Sequence, residues 1–247
     1  SRLILFDIEI DTLGITWVYT NWGLYYFDRK NDVFKPQLLD LPFSYDLPPW
    51  PDDHIFGLRD MCLDKDGIIW MLWWNTEVIR FNPYSKTIDF LWPRNFDSDE
   101  AHMEMIGNGG IQVDTEGLVW FSSYLGLKMY DPSTGRIIYE EDGHPVSDIM
   151  EDKDGNIIIS DYEGGVILDR QGSKLKLFTM EYLDYGEGTY ISNVVRDGEE
   201  YWIGIEHGGV TRLNVETGEK VYYKQNNKPG SLSHNYIWRI YKDQNDQ

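Results

Sequence analysis

One phrase recurs along this chain: an acidic bend, a β-like run of apolar and aromatic residues, then a turn that usually carries Gly. Asp11-Thr-Leu-Gly-Ile-Thr-Trp17 is the first copy, leading into Asn21-Trp-Gly-Leu24. Asp64-Lys-Asp-Gly-Ile-Ile-Trp70 and Asp114-Thr-Glu-Gly-Leu-Val-Trp120 are the second and third. Asp152-Lys-Asp-Gly-Asn-Ile-Ile158 is the fourth, and Arg196-Asp-Gly-Glu-Glu-Tyr-Trp202 is a looser fifth. The anchors at 17, 70, 120, 158 and 202 are 53, 50, 38 and 44 residues apart. A period of roughly 40 to 50 residues with several strands per unit is the signature of a β-propeller, in which each repeat is one sheet that buries its faces on its neighbours.

Each unit reads as four short strands. In the third, Gly110–Asp114 is followed by the turn at 115–117, Leu118–Ser122, the turn at 124–126, Leu127–Tyr130, the Pro132-Ser-Thr-Gly135 turn and Arg136–Tyr139. Asp and Gly recur where the chain must reverse, because Gly supplies positive φ and an Asp side chain bonds nearby amides. The expected fold is therefore all-β, a propeller of four-stranded antiparallel blades. Its repeats span approximately 1–40, 54–92, 104–140, 145–180 and 189–225, and 235–247 starts another. Five full units and one strand of a sixth read as part of a larger propeller. A closed five-bladed ring with a terminal strand left over is the competing arrangement. Two inter-blade connections, 34–56 with Leu47-Pro-Pro-Trp-Pro51 and 90–107, are long enough to imply function.

Composition narrows the function. With 22 Lys and Arg against 42 Asp and Glu, the net charge is −20, opposite to the basic footprint of a nucleic-acid or anionic-membrane binder. Cys62 is alone in an apolar run, so there is no disulfide framework and no Cys-based metal site. The five His show no paired ligand spacing, and no G-x-S-x-G elbow occurs. The Asp64 and Asp152 turns lack the further ligands of a calcium loop. No cofactor, metal or catalytic residue is expected.

The phrase Asp-x-x-Gly-x-x-Trp, followed by Gly-Gly or Gly-Leu and an Asp or Asn ending the third strand, resembles the two-component regulator propeller repeat. Trp202-Ile-Gly204 with Gly208-Gly-Val210, and Leu118-Val-Trp-Phe121 with Gly126-Leu127, carry the likeness most closely. Lys228-Pro-Gly-Ser-Leu-Ser-His-Asn235 is similar to the connector between blades of that family. Ile158 in place of Trp, and Trp74-Asn-Thr-Glu77 in place of the Gly pair, are departures. The resemblance implies the periplasmic sensor region of a hybrid two-component histidine kinase from glycan-degrading, Bacteroides-type bacteria. It further implies a second propeller, a β-sandwich, a membrane span and a cytoplasmic kinase elsewhere in the parent protein. This chain would then bind rather than catalyse.

In a propeller, the turns joining second to third strands share one face with the inter-blade connections. Here those turns are Asn21-Trp22, Trp73-Trp74-Asn75, Ser123-Tyr124, Asp161-Tyr162-Glu163 and Glu206-His207. Flat aromatic faces that stack on a pyranose, with carboxylates that bond its hydroxyls, are what a sugar site requires. The candidate ligand-binding residues are Trp22, Trp50, Trp73, Trp74, Tyr124, Tyr162, Glu163, Glu206 and His207. The competing reading is that these aromatics only cover sheet ends. An oligosaccharide breakdown product is the expected ligand. The other domains of the parent protein are expected partners, a homodimer is an open one, and no nucleic acid is expected. Two other functions stay open: a propeller glycoside hydrolase or lyase using Glu163 and Glu206 as paired carboxylates, and a protein-interaction scaffold. The anchors Trp17, Trp70, Trp120 and Trp202 occupy one position per blade and are expected in the packing between sheets.

Overall fold

The computed structural model of the chain describes residues 5–20, 23–37, 58–73, 78–90, 110–123, 126–142, 146, 148–160, 164–186, 189–214 and 216–241. They form five four-stranded antiparallel sheets, each built from strands consecutive in the chain. The first is β1 (Leu5–Ile10), β2 (Thr16–Thr20), β3 (Gly23–Asp28) and β4 (Val33–Pro36). The second is β5 (Leu58–Leu63), β6 (Ile69–Trp73), β7 (Val78–Asn82) and β8 (Thr87–Phe90). The third is β9 (Ile111–Val113), β10 (Val119–Ser123), β11 (Gly126–Asp131) and β12 (Arg136–Asp142). The fourth is β13 (Asp148–Glu151), β14 (Ile157–Ser160), β15 (Gly164–Leu168) and β16 (Lys174–Thr179). The fifth is β17 (Tyr190–Asp197), β18 (Glu200–Glu206), β19 (Gly209–Asn214) and β20 (Lys220–Tyr223). The repeat thus becomes the propeller it predicts, one sheet per phrase. Successive first strands, β1, β5, β9, β13 and β17, are neighbours and line the axis.

The acidic bend closes its own turn in the same way in the first four copies. Asp114 Oδ1 accepts the amides of Glu116 (3.0 Å) and Leu118 (2.9 Å), and the Gly117 amide returns to the Asp114 carbonyl. Gly117 sits at φ 89°, the left-handed region where a Cβ is strained. The second oxygen, Oδ2, accepts the indole N–H of Trp120 at 3.0 Å. Asp11–Trp17 (3.1 Å) and Asp64–Trp70 (3.0 Å) repeat the bond. A residue read from sequence as a turn-former therefore also satisfies the one polar atom of a buried Trp, which an apolar interface demands. In the fourth blade the Ile158 side chain has no N–H to offer. There the Asp152 Oδ2 accepts from Asn156 Nδ2 at 3.1 Å and from the Arg196 guanidinium of the fifth blade. A cation from the next sheet stands in for the missing indole.

The core lies between blades rather than within any one. Trp17, Tyr19 and Leu24 pack on Met61, Ile69, Met71, Ile79 and Phe81 of the second sheet. Cys62, Trp70 and Leu72 meet Ile111, Val119 and Phe121 of the third. Trp120, Leu127 and Met129 meet Ile149, Ile157 and Leu168 of the fourth, whose Ile158 and Ile167 meet Val194, Tyr201 and Ile203 of the fifth. Each blade thus has an exit face, bearing the anchor, and an entry face that receives the anchor of the blade before. Trp17, Trp70 and Trp120 are buried as expected, and Cys62 is a buried small hydrophobe in the same layer. Trp202 is only half-buried and stacks on Tyr223 of its own sheet (5.4 Å, 19°).

Candidate functional site

The turn between β18 and β19 holds the described part of the predicted face. Glu206 ends β18, and His207 turns the chain at φ 63° before Gly208 and Gly209. His207 is one of few non-glycine residues in that left-handed conformation, which projects its ring outward. The following connection folds back over the turn: the Asn235 carbonyl accepts the Gly209 amide (2.9 Å), and the Asn235 Oδ1 accepts the Gln225 amide (2.6 Å). His234 Nδ1 then caps the Tyr236 amide at 2.9 Å. These bonds deliver Tyr236 to the turn. Its hydroxyl donates to Glu206 Oε1 at 2.6 Å, and its ring meets the His207 imidazole edge-on (4.6 Å, 81°).

Trp238 extends the surface, its ring 5.3 Å from Tyr236 and 71% exposed. Glu206, His207, Tyr236 and Trp238 thus form one solvent-facing patch of two aromatic rings, an imidazole and a carboxylate. The Glu206 carboxylate that Tyr236 bonds raises its hydroxyl above the usual phenol range, so Tyr236 remains a donor at neutral pH. Among the described residues, Glu206 Oε2 takes no hydrogen bond.

Behind the turn lies a second cluster on the connection between the fourth and fifth sheets. The Tyr185 hydroxyl donates to the Gly208 carbonyl (3.2 Å) and lies 3.0 Å from Thr211 Oγ1, bracing the His207 turn from below. Lys224 Nζ sits 4.8 Å from the Tyr185 ring, and Tyr185 meets Tyr222 at 6.2 Å. Asp184 joins Lys220 (3.0 Å) and the Tyr222 hydroxyl.

Of the residues named from the sequence, the structure brings Glu206 and His207 together. Trp73 ends β6, and its side chain lies outside the described residues, as do Trp22, Trp50, Trp74, Tyr124, Tyr162 and Glu163 altogether. The pairing of Glu163 with Glu206 accordingly lies outside them too. Tyr236 and Trp238 are what sequence reading missed. They lie in a stretch read as a strand beginning a further blade, and only the fold-back of 225–236 carries them to the turn.

The axis is the other electrostatic feature. Asp7, Asp60 and Asp148 stand two residues before the positions that pair with the second-strand anchors. Gly110 and Asn193 hold the same position in the third and fifth blades. Burial raises the carboxyls of Asp7 and Asp60, and it pushes Asp148 and Glu9 up to about 7. Arg239, 3.2 Å from Asp7, opposes these rises in all four. Among the described residues, no group of His, Cys, Asp or Glu is arranged to hold a metal ion.

No known protein family matches the chain, and no curated protein sequence matches it. Its structure is similar to solved ones. One is an extracellular domain from B. thetaiotaomicron described as that of the hybrid two component system BT4673, also described as a one component system. It is 16% identical, with a TM-score of 0.61, over 98% of this chain and 36% of that one. The extracellular domain described for the hybrid two component system BT3049, from B. thetaiotaomicron, is 16% identical with a TM-score of 0.55, over 100% of this chain and 38% of that one. This chain spans little more than a third of the length of those domains. At this identity the likeness establishes the fold: this chain is an all-β propeller built as theirs are.

Proposed function

We propose that this chain belongs to the two-component regulator propeller family and is a ligand-sensing propeller from the periplasmic sensor region of a hybrid two-component histidine kinase. An oligosaccharide is the proposed ligand, bound without turnover. Three things support this reading: the five-fold repeat, the −20 charge that disfavours polyanionic partners, and the likeness to extracellular domains described as parts of such systems. The observation that carries the ligand class is the patch of Glu206, His207, Tyr236 and Trp238. Its exposed indole offers a platform for a pyranose face, and its carboxylate and imidazole can bond equatorial hydroxyls. Signalling would follow from a difference in affinity between two arrangements of this propeller and its neighbouring domains, since a ligand shifts an equilibrium only by that difference.

A thermal-shift and calorimetric screen against plant and host oligosaccharides tests it. A binder at 100 times its Kd raises stability by about 2.7 kcal/mol. The expected result is a selective shift that Trp238→Ala and His207→Ala each abolish while the unliganded melting temperature stays put. A binder whose shift survives both substitutions would move the site off this patch. Turnover of a glycan by the purified chain would replace sensing with catalysis.

A further inference from the structure

We infer that Lys224 is a specificity-determining residue of the same patch, and that the ligand carries an anionic substituent, a carboxylate or a sulfate ester, which the Lys224 ammonium takes. The inference rests on the sugar-binding reading of Glu206, His207, Tyr236 and Trp238, and it narrows the ligand to an acidic oligosaccharide. It begins with where the lysine lies. Two glycines follow His207, and neither has room for a side chain. A Cβ on Gly208 would lie 2.7 Å from the Tyr185 ring, and one on Gly209 would lie 2.3 Å from the Tyr223 carbonyl and 3.3 Å from Lys224 Cγ. Only these two bare residues separate His207 from the Lys224 stem.

Two lysines share the tyrosine cluster behind the turn, and they differ in what holds their charge. Lys220 Nζ lies 4.5 Å from the Tyr182 ring, but it is also tied to the Asp184 carboxylate (3.0 Å) and to the Tyr182 carbonyl. Lys224 is exposed, and its Nζ lies over two rings, Tyr185 at 4.8 Å and Tyr222 at 5.7 Å. Among the described residues it has no carboxylate partner. A ring face attracts a cation through its quadrupole without cancelling the charge, whereas a carboxylate cancels it. Both rings are themselves fixed. The Tyr222 hydroxyl is held by Asp184, and the Tyr185 hydroxyl by the Gly208 carbonyl and Thr211. The ammonium thus rests on a rigid floor beside the turn, with its charge uncompensated.

The two sides of the His207 turn therefore differ in sign, with the Glu206 carboxylate on one and the Lys224 ammonium on the other. On a chain of net charge −20, an anionic group is repelled unless it lands on a local cation. A disaccharide with one neutral and one acidic unit fits this polarity in a single direction. Its neutral unit lies on the aromatic patch, and its anion meets the ammonium across Gly208 and Gly209. The reversed ligand would set its anion against Glu206, so the same pair of charges also fixes orientation.

Titration calorimetry on the 247-residue chain tests this with three matched sets of probes. They are aldobiouronic acids of gluco and galacto configuration, the neutral disaccharides made by reducing their carboxyl groups, and the monosulfated forms of those neutral disaccharides. One acidic set is expected to bind about tenfold or more tighter than its neutral counterpart, and which set does so tells carboxylate from sulfate. Lys224→Met keeps the apolar stem on the rings and loses the charge. It should abolish the preference while leaving the neutral sugar's Kd within about twofold and the melting temperature unchanged, and Lys224→Arg should keep the preference. Raising salt to about 0.5 M should weaken the acidic probes alone. Neutral probes that bind and are lost in Trp238→Ala, with no preference for either acidic set, would overturn the role of Lys224 and leave the patch as a neutral-sugar site. A preference that survives Lys224→Met would do the same. Failure of every probe to bind, or binding indifferent to Trp238→Ala, would overturn the patch and this inference together.

Discussion

Replacing Asp114 by Ala takes three hydrogen bonds from one carboxylate that is 4% exposed. Two of the donors it abandons lie away from the open surface: the part-buried Leu118 amide inside the turn and the indole N–H of Trp120, whose side chain is fully buried. A buried donor left without a partner costs about 1–3 kcal/mol. The two together, with the lost bond to Glu116, put Asp114→Ala at about 3–5 kcal/mol, a fall in melting temperature of roughly 10–15 °C for a chain of this size. Asp114→Asn keeps Oδ1 for the two amides and can turn its NH2 toward the indole donor, so about half that loss is expected. Asp131 supplies the control. It also takes three bonds, from the Ser133 amide and hydroxyl and the Thr134 hydroxyl, but all are exposed. Water replaces it there, and Asp131→Ala should cost about 1 kcal/mol or less. Urea unfolding followed by tryptophan fluorescence, with m-values checked for constancy, measures all three. If Asp114→Ala costs no more than Asp131→Ala, the indole–carboxylate bond is not what fastens the blades, and burial of the ring alone must account for them.

Three further outcomes are expected. Arg196→Gln should destabilise by about 3 kcal/mol in the same assay, because it leaves the fully buried Asp152 carboxylate without its cation; a loss below 1 kcal/mol would make the pair dispensable. Glu9 and Asp148 have folded-state pKa values raised to about 7 by burial, so the stability they contribute is full below about pH 4 and is lost as pH rises through 7. Melting temperature should therefore fall between pH 5.5 and 8, and Asp148→Asn should flatten that slope; a rise with pH over this range would contradict the assignment. Arg239→Gln removes the cation that faces Asp7, Glu9, Asp60 and Asp148, and should steepen the same slope while loosening exchange protection at 236–241.

How much was legible beforehand differs between the fold and the site. The Asp-x-x-Gly-x-x-Trp spacing is local: Asp114 reaches its own turn and its own indole within six residues, so each blade announces itself in the sequence. Strand order follows for the same reason, since every sheet joins consecutive strands. The positions of Glu206 and His207 at a turn between second and third strands were also visible, because that turn is fixed by its place in the repeat. Tyr236 and Trp238 were not, since their approach depends on the Asn235 and His234 bonds that fold the connector back on the turn. Nor did Arg196 signal its role. Its partner Asp152 lies in the preceding blade, and nothing at Ile158 says which residue will replace an indole.

The sequence by itself determined the fold class, the five four-stranded repeats and which residues turn the chain, because those are set by interactions spanning a few residues and repeated at a fixed period. Only the tertiary structure decided which equivalent residues differ in fate. Asp7, Asp60, Asp148 and Arg239 share one position in the repeat, yet burial at a common axis makes three of them reluctant anions and the fourth their counter-charge. Ile8 and Met61 share another, yet one faces solvent and the other a neighbouring sheet. Periodicity assigns residues to faces, and the packing of one blade on the next decides which faces are covered.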